Sequence, residues 1–302
     1  MKKIRPPLLE KGDKIGVFSP ARYVEAAEIQ GALGWIGQMG YEALPGKHVF
    51  DRQNQFAGDD RKRASDLISL LEEPEVKCIW ATRGGYGCIR LMPLLEKVNP
   101  AANPKWLVGY SDLTVLHSWL NGKHEIQSIH GPMLFSWDED DESKESFKAL
   151  GRLLAEGRLE YFFDTHPLNT SDYMKGEVCG GNLSLILSMR GTPVDIDVDG
   201  KILLIEDIDE YLYHIDRIMQ NLKYSGWLKR VSGLLVGGMN GMNDNQVPFG
   251  RSAEQIISDT ALECDLPVIF GHPSGHMKRN MPVIMGGEIT LKASEGKMMA
   301  RQ

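Results

Sequence analysis

The first half of the chain alternates short apolar strands with amphipathic helices, and this alternation constrains the fold more than any other feature. Strands are predicted over residues 14–19, 41–44, 76–81 and 107–109. Apolar residues recur at helical spacing after each of them, near residues 27–36, 59–71, 88–95 and 113–120. The pattern predicts an α/β fold with a doubly wound parallel sheet, in which ligands gather at the carboxyl ends of the strands.

Three polar residues, Ser19, Arg83 and Ser111, follow the ends of these predicted strands. Ser111 is the most informative, because Gly-Tyr-Ser-Asp at residues 109–112 closes a buried strand and opens a helix. A serine on such a sharp turn projects its hydroxyl above the edge of the sheet. The main-chain N–H groups at the helix start are free to face a developing oxyanion. Ser111 is therefore a candidate nucleophile.

A glycine-rich run, Gly-Gly-Tyr-Gly at residues 84–87, follows Arg83. It nearly fits the dinucleotide-binding pattern, but Arg90 stands where that pattern needs its third glycine. No Gly-Lys-Ser or Gly-Lys-Thr follows, which also disfavours a phosphate-binding loop. The N–H group of Gly84 or Gly85 can instead complete an oxyanion hole with that of Asp112. A plain tight turn fits the same spacing equally well.

Four acidic residues directly follow the apolar run at residues 202–205, and Glu206 is the first of them. A glutamate in that position can orient a histidine as the acid of a catalytic triad. The cluster can instead bind a divalent cation, since hard cations prefer several carboxylates. It can also favour the start of a helix through the helix dipole. The residues alone leave these three interpretations open.

Two histidines, His272 and His276, lie four residues apart. On a helix this spacing can hold a metal ion, but the glycines and the proline around them disfavour a helix. A single loop histidine acting as general base fits the segment better, and we expect no metal site. His130 is a second candidate base, although a histidine that follows apolar residues at a strand end is usually a packing residue.

The charge and cysteine content narrow the possible partners and the compartment. The net charge of −7 argues against a general nucleic-acid or anionic-membrane partner. None of the four cysteines forms a C-x-x-C pair, which predicts buried reduced thiols at Cys78, Cys88, Cys179 and Cys264. The sequence has no signal-peptide run and no stretch near the ~20 apolar residues of a membrane span. We therefore expect a cytoplasmic protein.

The chain changes character near its middle. An acidic run at residues 137–145 predicts a solvated loop or a helix start, and residues 136–175 resemble a connection between domains. Strands with glycine turns follow, interrupted by a helix whose apolar stripe comprises Ile215, Ile218, Met219 and Leu222. We therefore predict an N-terminal α/β domain at 1–135, the interdomain connection, and a smaller strand-rich domain at 176–302.

Several short motifs occur in a characteristic order along the chain. They are Ser-Pro-Ala at 19–21, Phe-Ala-Gly at 56–58 with Arg63, Arg-Gly-Gly-Tyr-Gly at 83–87, Gly-Tyr-Ser-Asp at 109–112, Gly-Gly-Asn-Leu at 180–183, Ile-Glu-Asp at 205–207 and Gly-His at 275–276. The ordered set resembles the LD-carboxypeptidase family of serine peptidases, from about residue 12 to about residue 290. That family includes muramoyltetrapeptide carboxypeptidases and microcin C immunity peptidases.

The resemblance implies a catalytic triad in which Ser111 is the nucleophile, Glu206 the acid and His276 the base. It implies an oxyanion hole made of main-chain N–H groups, which we assign to Gly85 and Asp112. No metal or organic cofactor is needed. The implied architecture is a parallel N-terminal domain with a smaller, barrel-like C-terminal domain, an active site in the interdomain cleft, and a homodimer.

The implied substrate is a small peptide, a murein tetrapeptide whose terminal D-alanine is joined to the L-centre of a diamino acid. Its trimming to a tripeptide would serve cytoplasmic peptidoglycan recycling. Because arginine can bind a carboxylate through two hydrogen bonds, Arg83 is a candidate for the terminal carboxylate, and an ion pair at the surface fits it equally well. Two alternatives stay open: a microcin C immunity-type peptidase acting on peptidyl or aminoacyl nucleotides, and a non-catalytic ligand-binding protein on the same scaffold.

Overall fold

The computed structural model describes residues 3–302, which form two compact units. The first unit comprises the residues up to Gly157 together with Lys278–Gly286. The second unit comprises Arg158–Met277 and Gly287–Gln302. The predicted connection at 136–175 is thus divided between the two units, and the predicted C-terminal domain lacks residues 278–286, which belong to the first.

Strands and short helices alternate through most of the chain. The strands are β1 Lys14–Phe18, β2 Glu42–Pro45, β3 Val76–Ala81, β4 Trp106–Gly109, β5 Ser128–His130, β6 Glu160–Asp164, β7 Tyr173–Asn182, β8 Ile202–Ile208, β9 Gly233–Asn240, β10 Val268–Ile269, β11 Val283–Met285, β12 Glu288–Ser294 and β13 Lys297–Arg301. The α-helices are α1 Ala26–Gln38, α2 Asp60–Glu72, α3 Thr114–Ser118, α4 Asp141–Glu156, α5 Leu183–Met189, α6 Leu212–Tyr224 and α7 Ala253–Leu262. No helix among residues 3–302 combines the length and the apolar character that a membrane crossing requires.

The sheet of the first unit has the strand order β11-β5-β4-β3-β1-β2. Its five strands from the first half of the chain pair in parallel, as the alternating pattern predicts. β11 adds to β5 in the antiparallel direction and makes the sheet mixed. The predicted helix at 88–95 is a 3₁₀-helix over Cys88–Leu94, because Pro93 inside it cannot donate an α-helical hydrogen bond.

The acidic run at 137–145 is a helix start. Asp140 caps α4 by accepting a hydrogen bond from the Ser143 N–H at 2.8 Å, and Asp141 and Glu142 occupy the first turn, where the helix dipole favours them. The apolar face of α4 is buried in the first unit, where the Phe147 ring lies 5.4 Å from that of Trp80. The acidic start of this segment therefore leads into a helix whose apolar face belongs to the core.

The second unit is built on a sheet with the order β10-β9-β8-β7-β12-β13-β6. Strands β7 to β10 pair in parallel and the others are antiparallel, so this sheet is mixed as well. The strand pairings form a linear series that ends at β10 and β6, and the barrel-like closure stays a prediction. The predicted apolar stripe of α6 is buried in the core: Ile215, Ile218, Met219 and Leu222.

The cysteines are free thiols, as predicted. Cys78, Cys88 and Cys179 are buried, whereas Cys264 is only partly buried. The prediction of a fully buried thiol is therefore wrong at Cys264, which lies after the end of α7 and packs at the margin of the apolar core.

Candidate active site

Ser111 lies on a strained turn between β4 and the short helix that leads into α3. Its φ of +62° is rare for a residue with a side chain, and its hydroxyl is nearly buried. The turn is tight because Gly109 has no side chain: a Cβ there would lie 2.4 Å from Leu113 Cδ2. A strand-to-helix turn with a serine in this conformation is the geometry expected of a nucleophile.

His117, to which the sequence pattern gave no role, holds this turn from beneath. Its Nε2–H donates to the Gly109 carbonyl at 2.8 Å, and its Nδ1 accepts from the Ser128 hydroxyl at 2.8 Å. Burial, together with neighbouring His130, lowers the pKa of His117 to about 3, so the ring is neutral. The available signal was a histidine within the largely apolar run at 113–120, since a buried imidazole needs partners.

The glycine-rich run passes directly over Ser111. A Cβ added at Gly84 would lie 3.1 Å from Ser111 Cβ and 3.2 Å from Ser111 Oγ, so a glycine lets the main chain approach the serine without displacing it. Gly85 follows with a φ of +115°, which also favours glycine. The structure therefore places the glycine run at 84–87, which is predicted to supply an oxyanion donor, next to Ser111, the predicted nucleophile.

The Asp112 side chain links the serine turn to the end of this run. Its Oδ2 accepts a hydrogen bond from the Cys88 N–H at 2.7 Å, and the residue is buried. Burial raises the pKa of Asp112, and the Cys88 N–H and the nearby Arg63 oppose that rise. The carboxyl group thus serves the main-chain geometry around Ser111.

Arg63 fixes the glycine run from the opposite side. Its buried guanidinium donates to the carbonyl oxygens of Pro20 and Gly87 and pairs with Asp60. A Cβ at Gly87 would lie 2.5 Å from Arg63 Nη1, so this contact also requires a glycine. Arg63 therefore ties the turn after β1 to the run that covers the serine.

Arg83 has two partners away from Ser111. Its guanidinium lies 3.8 Å from the centre of the Phe135 ring and 3.8 Å from Glu28 Oε1. The stacked ring and the carboxylate are the surroundings expected of an ion pair at the surface. A role in binding substrate requires Arg83 to exchange the carboxylate of Glu28 for that of the ligand.

In the second unit, the structure brings Glu206 and His276 together. Glu206 lies on β8, and its Oε2 is 2.7 Å from His276 Nδ1 and 3.2 Å from the His276 main-chain nitrogen. The carboxylate is fully buried. Gly275 makes the approach possible: its φ is +96°, and a Cβ there would lie 2.4 Å from Glu206 Oε2. The Nδ1 contact leaves Nε2 as the atom suited to proton transfer.

The charges around His276 raise the pKa of its imidazole. Burial is the largest influence and lowers the pKa of His276, but the hydrogen bond and charge of Glu206, with Asp207 and Asp209, outweigh it. The net result is a pKa raised above the ordinary 6.5. A buried carboxylate that stabilises an imidazolium is what a general base needs when it accepts a proton.

Asp207, the next residue of the acidic cluster, has its own protein partners. Asp207 accepts hydrogen bonds from Asn182 Nδ2 at 2.9 Å, from Ser184 Oγ at 2.8 Å and from the Ser184 N–H at 2.9 Å. It therefore satisfies the first turn of α5, while Glu206 points at His276. Among residues 3–302, no group of three or more His, Cys, Asp and Glu side chains has an arrangement that could hold a metal ion.

Neither His272 nor His130 belongs to the pair formed by Glu206 and His276. His272 is buried, with Nε2 at 2.7 Å from the Tyr161 hydroxyl and Nδ1 at 2.9 Å from the Ser274 hydroxyl. These two hydroxyl groups are distinct from the Glu206 carboxylate that contacts His276 Nδ1. His130 is buried beside the ring of Tyr110, at 6.0 Å between centres, which agrees with its interpretation as a packing residue.

Comparison with known proteins identifies the family. The model of the LD-carboxypeptidase N-terminal domain matches residues 15–131, and that of the C-terminal domain matches residues 175–291. The chain is 33% identical to a probable murein peptide carboxypeptidase of Bacillus subtilis, covering 96% of this chain and 92% of that protein. The chain belongs to the LD-carboxypeptidase family. It is accordingly a serine peptidase, and thus a hydrolase.

Other members of this family, and a solved structure, extend the similarity over most of the chain. The murein tetrapeptide carboxypeptidase of Pseudomonas aeruginosa is 28% identical, over 88% of this chain and 89% of that protein. The crystal structure of a muramoyltetrapeptide carboxypeptidase from Oxalobacter formigenes superposes with a TM-score of 0.85 at 29% identity, covering 95% of this chain and 98% of that one. The microcin C7 self-immunity protein of Escherichia coli is 25% identical over 94% of this chain and 91% of its own.

Proposed function

We propose that this chain is a carboxypeptidase that removes the terminal D-alanine from an L,D-linked murein tetrapeptide. The observation that carries the proposal is the buried pair of Glu206 Oε2 and His276 Nδ1 at 2.7 Å, in a chain that also holds Ser111 on a strained turn. The substrate is supported by relatives named murein peptide and murein tetrapeptide carboxypeptidase, at 33% and 28% identity.

The proposed triad joins Ser111 with Glu206 and His276. His276 Nε2 takes the proton of Ser111 Oγ as that oxygen bonds to the carbonyl carbon before D-alanine, and the carbonyl oxygen becomes an oxyanion. The N–H groups of Gly85 and Asp112 donate to this oxyanion, each worth about 3–4 kcal/mol. Support for Gly85 comes from the position of the glycine run, since a Cβ at the adjacent Gly84 would lie 3.2 Å from Ser111 Oγ.

The remaining steps return the enzyme to its starting state. His276 gives its proton to the nitrogen of D-alanine, and the C–N bond breaks to leave an acyl-enzyme at Ser111. His276 then takes a proton from water, whose oxygen attacks the acyl carbon and releases the tripeptide as Ser111 regains its proton. Each step uses only protein groups and water, and no metal or organic cofactor enters the sequence.

The family also supports the wider setting of the reaction. We propose that it takes place in the cytoplasm, as part of peptidoglycan recycling, and that the active species is a homodimer with a barrel-like C-terminal domain. Arg83 remains a candidate for binding the substrate carboxylate, and its stacking on Phe135 at 3.8 Å would hold the guanidinium in place.

The test is mass spectrometry of the purified protein after incubation with three substrates. They are the L,D-linked tetrapeptide, its all-L counterpart and an aminoacyl sulfamoyl adenylate. We expect loss of one D-alanine from the first alone, and Ser111→Ala should lower turnover by on the order of 10³-fold or more. Ser65→Ala, which changes an exposed serine on α2, is the matched control and should retain full activity.

Other outcomes assign the chain differently. Cleavage of the adenylate alone would indicate a microcin C immunity-type peptidase. No cleavage, together with no labelling of Ser111 by a fluorophosphonate, would indicate a ligand-binding protein. Near-normal turnover by Ser111→Ala would reject the nucleophile assignment.

A further inference from the structure

We propose that Arg22 binds the free terminal carboxylate of the peptide and so makes this enzyme a carboxypeptidase. The inference rests on the proposed function and deepens it. Arg22 follows β1 and has an exposed side chain. The family motifs in the sequence gave it no role.

The side chain of Arg22 lies on the glycine run that covers the nucleophile. A Cβ at Gly85 would lie 2.7 Å from Arg22 Cγ, 2.8 Å from Cδ and 3.1 Å from Nε, so the side chain crosses this residue in close contact. A Cβ at the preceding residue, Gly84, would lie 3.2 Å from Ser111 Oγ. Gly84 and Gly85 are successive residues, so the Arg22 side chain and Ser111 lie against neighbouring positions of the same glycine run.

The placement of Arg22 beside the glycine run suits the chemistry of a carboxypeptidase. The terminal carboxylate belongs to the residue just beyond the bond that breaks, so it lies within one residue of the carbonyl that Ser111 attacks. A guanidinium offers paired N–H donors that match the two oxygens of a carboxylate. Because Arg22 borders the same glycine run as Ser111, we assign this carboxylate to its guanidinium.

The main chain on both sides of Arg22 is fixed. The Arg22 N–H donates to the Gly84 carbonyl at 3.3 Å, and the Tyr23 N–H donates to the Gln55 carbonyl at 3.1 Å. The carbonyl of Pro20 is held by the buried Arg63 guanidinium, which also binds the Gly87 carbonyl. With the main chain held, only the side chain of Arg22 has to be ordered when a ligand binds, which favours affinity.

Arg22 also differs from the neighbouring arginines in having no acidic partner. Arg52 lies 3.8 Å from Glu25, Arg83 lies 3.8 Å from Glu28, and Arg90 lies 2.8 Å from Asp60. Within residues 3–302, the Arg22 guanidinium forms neither a salt bridge nor a hydrogen bond. A ligand carboxylate therefore has no internal carboxylate to displace, in contrast to Arg83.

The experiment compares the tetrapeptide acid with its C-terminal amide. We expect Arg22→Gln to raise KM for the acid by roughly 10- to 100-fold, the cost of losing a charge-assisted hydrogen bond, while kcat changes by less than about threefold. Arg22→Lys should recover part of this loss, because it keeps the charge and loses the paired geometry. Arg52→Gln is the matched control, and Arg83→Gln tests the other candidate.

Binding measured by calorimetry in the Ser111→Ala background separates recognition from catalysis. Without further substitution, the acid should bind at least about tenfold more tightly than the amide, and adding Arg22→Gln should abolish this preference. If the wild-type enzyme cleaves the acid but Arg22→Gln keeps the preference, the Arg22 assignment fails and the function stands. If the preference depends on Arg22 but no peptide is cleaved, the function fails and the assignment stands. Equal binding of acid and amide in the Ser111→Ala background overturns the assignment outright.

Discussion

The serine turn of the first unit and the histidine loop of the second unit are built by different means. Around Ser111 the main chain carries the geometry: the serine has a φ of +62°, Gly85 has a φ of +115°, and carbonyl oxygens are held by buried side chains. Around His276 the geometry depends on a side-chain charge. The buried carboxylate of Glu206 accepts hydrogen bonds from both the ring and the main chain of His276.

The difference predicts two kinds of sensitivity. A site made from main-chain groups tolerates the removal of a charge if shape and hydrogen bonds are kept, but it loses function when the backbone shifts. A site made from a buried ion pair depends on the charge itself, because the carboxylate sets the pKa of its partner. Substituting the carboxylates of the two regions by amides is therefore a direct comparison.

The largest effect is expected for Glu206→Gln. The amide keeps the shape of the carboxylate and removes its charge, so it no longer stabilises the imidazolium, and kcat should fall by on the order of 10⁴-fold, as for comparable triad acids. Because His276 acts as a neutral base with a raised pKa, wild-type kcat/KM is lost as the pH falls through a value above 6.5. In Glu206→Gln this acid limb should move to lower pH.

Pre-steady-state and steady-state rates measured between about pH 5 and 9 check both parts of this prediction. The control is Glu263→Gln, which removes an exposed carboxylate paired with Lys223 in the same unit. An acid limb that stays in place in Glu206→Gln would mean that Glu206 does not set the pKa of His276.

The next effect compares two glycines, one in each region. A Cβ at Gly275 would lie 2.4 Å from Glu206 Oε2, closer than real Cβ contacts allow, and the φ of +96° is unfavourable for alanine. Gly275→Ala should displace the carboxylate and lower kcat/KM by roughly 100-fold. At Gly84 the corresponding distance to Ser111 Oγ is 3.2 Å, so Gly84→Ala requires a smaller shift and should cost less.

Kinetics of the two alanine variants, with circular dichroism to verify folding, give the measurement. Gly122→Ala is a suitable control, since a Cβ there meets no atom within 4 Å. A larger loss for Gly84→Ala than for Gly275→Ala would reverse the proposed order of the two regions.

Much of the fold was predictable because its signals are local. Periodicity indicated the parallel strands of the first unit and the buried stripe of α6. The order of the motifs indicated Ser111, Glu206 and His276 as the candidate triad. The pairing of Glu206 with His276 joins residues 70 positions apart, and the resemblance to a family, rather than periodicity, brought them together.

The remaining features depend on contacts between distant residues that leave no local pattern. Arg63 binds the carbonyl of Pro20, 43 residues away, and β11 pairs with β5 from far along the chain. The acidic run before α4 left a solvated loop and a helix start both open, because acidic residues are common in each, and the structure shows the helix start. Arg22 gave no signal because its close contact is with Gly85, which lies far along the chain.

The smallest effect, and the one that sharpens the comparison most, is expected at Asp112. Asp112→Asn keeps an oxygen that can accept from the Cys88 N–H, so it should change the free energy of unfolding by less than about 1 kcal/mol and leave kcat nearly unchanged. Asp112→Ala leaves that buried N–H without its acceptor and should cost about 1–3 kcal/mol. Urea unfolding of the two variants measures the difference, with Asp59→Asn, a cap at the start of α2, as a control for replacing a carboxylate by an amide. If Asp112→Asn instead lost activity as severely as Glu206→Gln, the charge of Asp112 would matter at the serine turn, and the contrast between a main-chain site and a charge-dependent site would not hold.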